Sequence, residues 1–125
     1  MNYPKEKLYE TLGELLFVIA MADGEVQETE LAALKNLLAK HPWAQEIEWS
    51  FNYELSRNSS VEDTYKKVID FCTHNGPTPE YEEFISAMEM IAESSDGIDE
   101  NESKVIKGFS KDLIDRFKKD IHRIN

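Results

Sequence analysis

A single cysteine, Cys72, stands in 125 residues. One thiol closes no internal disulfide and builds no zinc cluster, and this usage fits a reducing compartment. Apolar runs are also short. None approaches the ~18 residues that a membrane-crossing helix needs. The opening residues, Met1-Asn2-Tyr3-Pro4-Lys5-Glu6, lack the apolar core of a signal peptide. The expectation is a cytoplasmic protein with no integral membrane segment. Histidine is scarce: His41, His74 and His122 are scattered without a metal-ligand spacing and suit loop or helix-end roles. There is no glycine-rich phosphate loop, and no serine sits in a nucleophile elbow. An enzyme is not expected. Positive charge is sparse over residues 1–103, where 7 basic residues face 22 acidic ones. Residues 104–125 reverse this, with 7 basic and 3 acidic, and the whole chain carries a net charge of −11. An acidic body repels phosphate backbones, which excludes nucleic acid as its partner and favours cations and basic protein surfaces. The basic tail from Lys104 to Arg123 suits an acidic surface or simply neutralises the body.

What is present is a helical pattern with enough apolar residues for one core. Leu8, Leu12, Leu15, Leu16 and Ile19 recur at three- and four-residue steps after Pro4. Leu31, Leu34, Leu37 and Leu38 give a second helix that ends near His41-Pro42, because the residue before proline avoids the helical region. Trp43, Ile47, Phe51 and Leu55 fall four apart and predict a third helix with an aromatic face; Trp49 and Tyr53 must then point elsewhere. That placement offers either packing on a neighbouring helix or a partner-binding patch. Ser60 is a good N-cap for a fourth helix carrying Val61, Tyr65, Val68, Ile69 and Cys72, with Asp63 at its third position. Cys72 then lies on an apolar face as a small buried residue. Asn75-Gly76 stops that helix. Thr78 caps a fifth with Pro79 in its first position, followed by Tyr81, Phe84, Ile85, Met88 and Ile91. Val105, Ile106 and Phe109 open a sixth, continued by Leu113, Phe117, Ile121 and Ile124 unless Gly108 and Ser110 split it. No window alternates with period two. The expected fold is all-α, one domain over 1–125, a bundle of six to seven helices.

A motif occurs twice. Ile19-Ala20-Met21-Ala22-Asp23-Gly24-Glu25-Val26 leads to Glu30, and Ile91-Ala92-Glu93-Ser94-Ser95-Asp96-Gly97-Ile98 leads to Glu102. The offset is 72 residues, and Ile-Ala to Glu spans 11 positions in both copies. Leu12, Leu16 and Ile19 match Phe84, Met88 and Ile91 at the same offset. The chain therefore holds an internal duplication of a helix, Asp-Gly turn, helix unit. The halves run approximately over 8–40 and 80–117, with intervening helices in 43–75. Two like hairpins commonly pack with approximate two-fold symmetry, since the same apolar face must be buried twice.

Two readings of the repeated carboxylates stay open. In the first, Gly24 and Gly97 supply positive φ at a helix end, Asp99 caps the following helix, and Glu30 and Glu102 reach back from its third position. In the second, Asp23 and Asp96 hold a cation. Each lies at the C-terminal end of its helix, where negative charge costs roughly 0.3–1 kcal/mol, so its presence in both halves asks for a use. Asp23, Gly24, Val26 and Glu30 match the latter half of a calcium loop, but Ile19 and Met21 fall where its first ligands belong, so this is not an EF-hand. A set of Asp23, Glu30, Asp96 and Glu102 converging from both halves would be all oxygen and would favour Ca2+ or Mg2+.

The paired motif resembles that of the tellurite-resistance TerB family. The resemblance rests on Ala20-Met21-Ala22-Asp23-Gly24-Glu25-Val26 with Glu30, and on Ile91-Ala92, Asp96-Gly97-Ile98-Asp99 and Glu102; it covers roughly 8–117. The chain is also similar to the N-terminal domain of a membrane-anchored DnaJ-type co-chaperone. The resemblance implies an all-helical bundle of about seven helices with an internal duplication. It further implies a bacterial cytoplasmic role in tellurite and chemical stress, through metal-dependent or membrane-associated assemblies with protein partners, and no established enzymatic activity. Carried over, its acidic motif residues are Asp23, Glu30, Asp96 and Glu102. The second motif departs from the pattern, with Asp-Gly one residue late and Ser94-Ser95 in place of small apolar residues. Against this stands a metal-free protein-interaction domain that uses the aromatic segment and the basic tail.

Overall fold

Helix formation follows the apolar periodicity closely. The computed structural model describes residues 5–22, 24, 26–76, 78–94 and 100–124, with side chains as far as Leu113. These residues form six helices and no strand: α1 (Lys5–Ala20), α2 (Glu28–Leu38), α3 (Ala44–Ser56), α4 (Val61–Asn75), α5 (Glu80–Glu93) and α6 (Glu100–Ile124).

Helix α1 is the centre of the bundle. From Leu15 to Ala20 every side chain is buried, which a single apolar stripe could not produce; the helix is apolar all round at this end and is covered all round. It packs against α3, α4, α5 and α6. Each Leu, Ile or Phe taken from water there contributes about 1.5–3 kcal/mol. Helix α2 packs on α3 and α5, and α6 on α4, α5 and α1. The contacts of the two halves are reciprocal: α1 meets α6 as α5 meets α2, with α1 against α5 between them. Helices α2 and α6 begin at Glu28 and Glu100, 72 residues apart like the motif.

The ends of α4 match the sequence signals. Ser60 Oγ accepts the Asp63 N–H at 3.2 Å, and Gly76 leaves α4 at φ +84°. Gly24, in the first Asp-Gly turn, has φ +103°. Three expectations need correction. Helix α5 starts at Glu80, so Pro79 is its N-cap rather than its first residue. Helix α6 does not split: Gly108 and Ser110 lie inside it. The ~1 kcal/mol cost of an interior glycine is outweighed by Phe109 and Leu113, which follow it and are both buried. In α3 the buried positions are Ile47, Ser50, Phe51 and Glu54, while Leu55 is exposed. The four-residue spacing drifts off a 3.6-residue helix, so after two turns Glu54 occupies the inner face in place of Leu55.

Candidate functional site: an acidic aromatic face on α1 and α3

Of the four motif carboxylates, Asp23 and Asp96 lie outside the described residues. Glu30 and Glu102 occupy the third position of α2 and α6, and each is only 1% exposed. Glu30 Oε1 accepts the Gln27 N–H at 2.9 Å, a reach-back that ties down the helix start where the dipole favours negative charge. Among the described residues, no three His, Cys, Asp or Glu side chains gather closely enough to hold a metal ion. Cys72 is fully buried, and burial pushes its thiol up to about 12, which makes it inert as a nucleophile.

His41 is part of a cluster that the sequence did not reveal. The Trp43 backbone N–H donates to His41 Nδ1 at 3.0 Å, so the ring carries its proton on Nε2, which lies 2.6 Å from Glu83 Oε1. Tyr9 Oη donates to Glu83 Oε2 at 3.0 Å, and burial followed by this bond pushes the phenol up to about 12. The Tyr9 ring stacks on Trp43 at 5.8 Å. Both imidazole nitrogens are thus engaged in hydrogen bonds. The cluster pins α1, α5 and the link between α2 and α3 together. Its members are 42 and 74 residues from Glu83 in sequence, and no local signal joins them.

The accessible chemistry lies on α3. Trp49 is 59% exposed and Tyr53 43%. Their rings stack nearly parallel at 5.2 Å, and the Arg57 guanidinium lies over Tyr53, 5.1 Å from its centroid. One turn apart along the helix, these side chains form a row pointing away from the core, as the positions of Ile47 and Phe51 require. Three clefts adjoin Trp49. One of about 600 Å3 runs along α3 past Gln45, Glu48, Asn52 and Tyr53. A second of about 360 Å3 is closed by Glu6 and Glu10 of α1 and by Gln45 and Glu46 of α3. A third of about 350 Å3 reaches α4 and includes Glu14, Glu54 and Lys67. Together they are lined by six glutamates and two lysines.

Close approach of α1 and α3 builds this face. A Cβ on Gly13 would collide with Ser50 Oγ and with the Ile47 carbonyl oxygen, so only glycine fits there. The buried Ser50 hydroxyl donates to the Glu10 carbonyl at 2.5 Å. At the floor, Lys67 Nζ bridges Glu14 Oε2 at 2.6 Å and Glu54 Oε1 at 3.0 Å. Burial raises Glu14 above the ordinary carboxylate value, although Lys67 opposes this. Burial also pushes Glu54 up, but hydrogen bonds from Ser59 and Lys67 outweigh it and hold Glu54 low. Burial alone would lower Lys67; its two carboxylate partners raise it instead. The α3 terminus keeps Glu54 in place. Asn58 adopts φ +53°, and the N–H groups of Asn58 and Ser59 return to the carbonyls of Leu55 and Glu54 at 3.1 and 3.2 Å, the Schellman pattern that satisfies a helix end.

No protein-family model, no curated protein and no solved structure matches the chain.

Proposed function

We propose that the chain is a non-enzymatic protein-interaction module that docks its partner on the Trp49–Tyr53 face of α3. One observation carries this reading: a tryptophan 59% exposed, stacked on an exposed tyrosine at the junction of three clefts. Large aromatics left together in water are a liability unless something covers them, and Trp and Tyr supply a disproportionate share of interface binding energy. The surrounding polar residues make the rim expected of such a patch. Trp49→Ala should leave the fold stable to within about 1 kcal/mol, since the side chain is 59% exposed and its ring partner Tyr53 is exposed too. The same substitution should abolish capture of the protein's partners from a lysate of its source. A capture pattern unchanged by Trp49→Ala would end the proposal.

A second reading keeps the TerB-like expectation: a module in a tellurite or chemical stress-response assembly that holds Ca2+ or Mg2+ through Asp23, Glu30, Asp96 and Glu102. What favours it is that Glu30 and Glu102 stand at the same point of their helices and are equally buried, 1% exposed each, which is rare for glutamate. Calorimetric titration with each ion decides it. Equal absence of heat and of thermal shift in the unsubstituted protein and in Asp23→Asn would rule it out.

A further inference from the structure

We infer that the cleft between Trp49 and the acidic edge of α1 receives an arginine side chain from a basic segment of the partner protein. This rests on the docking face proposed above and names what that face reads. The cleft of about 360 Å3 is lined by Glu6, Glu10, Gln45, Glu46 and Trp49. Three of these five are carboxylates, none is a cation, and the fifth is an exposed indole. Aromatic and carboxylate surfaces placed together match a guanidinium: the ring face attracts the cation, and a carboxylate accepts its planar fork of N–H donors. The molecule uses the same geometry one turn further along α3, where Arg57 covers the face of Tyr53 and Arg57 Nη1 donates to Tyr53 Oη at 3.2 Å. Arg57 lies over Tyr53 and Tyr53 stacks on Trp49, and a guanidinium entering the cleft would meet the Trp49 indole beside Glu46, Glu10 and Glu6. Arginine suits this better than lysine because it is flat and less strongly hydrated. Charge complementarity with an acidic body selects a basic partner and rejects nucleic acid.

The test uses the full chain as bait for a random peptide library displayed on phage, followed by fluorescence titration of the selected peptides. Binding is read as the fluorescence anisotropy of dye-labelled peptide, so that it stays measurable when Trp49 is removed. The selected peptides should be rich in arginine, lose binding with Trp49→Ala, and weaken with salt. Joint substitution Glu10→Gln and Glu46→Gln should weaken them roughly tenfold, and replacing the peptide arginine with lysine should also weaken them. Peptides that require Trp49 but carry no cation would overturn this inference and leave the docking face standing. A library that yields no Trp49-dependent binder would overturn both. Self-association in sedimentation that disappears with Trp49→Ala would identify the occupant as the basic end of a second copy and would also overturn the assignment to a separate partner.

Discussion

Helices α1 and α5 are the equivalent members of the two repeat halves, yet one is the axis of the bundle and the other lies at its edge. Aligned at the offset of 72, their inner faces agree: Leu12, Leu16, Ile19 and Ala20 correspond to Phe84, Met88, Ile91 and Ala92, and all eight are buried. Their outer faces do not. Phe17 and Val18 of α1 are buried, whereas Glu89 and Met90 of α5 are exposed. Helices α3 and α4 account for the difference, because they cover the outer face of α1. Phe17 meets Phe51 of α3 edge-on at 6.4 Å. The candidate face belongs to this asymmetric part of the molecule. Glu10 and Glu14 line its clefts, while their counterparts Glu82 and Ser86 are exposed residues of α5. The duplicated motif organises the bundle, and the accessible chemistry arises where the duplication is broken.

Exchanging charge and ring across the repeat breaks the comparison most sharply. Phe17→Glu buries a carboxylate against Phe51 and should cost more than about 4 kcal/mol, enough to unfold many domains of this size. The mirror change, Glu89→Phe, acts on an exposed site and should stay within about 0.5 kcal/mol. Urea denaturation of both variants measures the pair. Equal losses would mean that the two outer faces are equally covered.

A smaller effect is expected at Gly13, whose counterpart is Ile85. A helix-interior Gly→Ala change in open space would stabilise by about 1 kcal/mol. At Gly13 the new methyl meets the Ile47 carbonyl, which is backbone and cannot rotate away. Gly13→Ala should therefore destabilise by about 2–3 kcal/mol. Ile85→Ala, at a half-buried position, should cost about 1 kcal/mol by lost burial. Thermal unfolding distinguishes the two. A more stable Gly13→Ala would show that α1 and α3 do not touch as closely as described.

How far these contrasts were legible depends on how local their causes are. The helices and their caps follow from spacing within a few residues, as at Ser60 and Gly76. The outward direction of Trp49 was legible too, since Ile47 and Phe51 set the phase of α3. That nothing among the described helices covers Trp49 was not, because exposure depends on where other helices pass. The bridge from Lys67 to Glu14 and Glu54 joins residues 53 and 13 apart, and only packing brings them together. The one available hint was a glutamate at position 54, on the helix face of Ile47 and Phe51, where a carboxylate needs a partner. Asp23 and Asp96, which lie outside the described residues, stand out only through an expectation from the sequence, a carboxylate after the end of a helical pattern, and that signal poses a question about charge without supplying its partner.

The bridge itself yields the smallest predicted effect and the sharpest in sign. Glu14 is raised above 4.5 in the folded protein. Its contribution to stability is therefore present below the unfolded value and is lost as pH rises through the folded one. Glu54 is held below 4.5, so its contribution is present above the unfolded value and is lost as pH falls through the folded one. Relative to the unsubstituted protein, Glu14→Gln should be at its best at neutral pH and lose ground on acidification. Glu54→Gln should be at its worst at neutral pH and recover ground on acidification. Lys67 is 52% exposed, so solvent screens the cluster and each difference should stay below about 1 kcal/mol. Urea midpoints across the acidic range, read against Ser86→Ala as a control from the other half, measure the two slopes. Slopes of the same sign would mean that burial does not outweigh Lys67 at Glu14, and that Glu14 does not lie as deep in the floor of the candidate face as described.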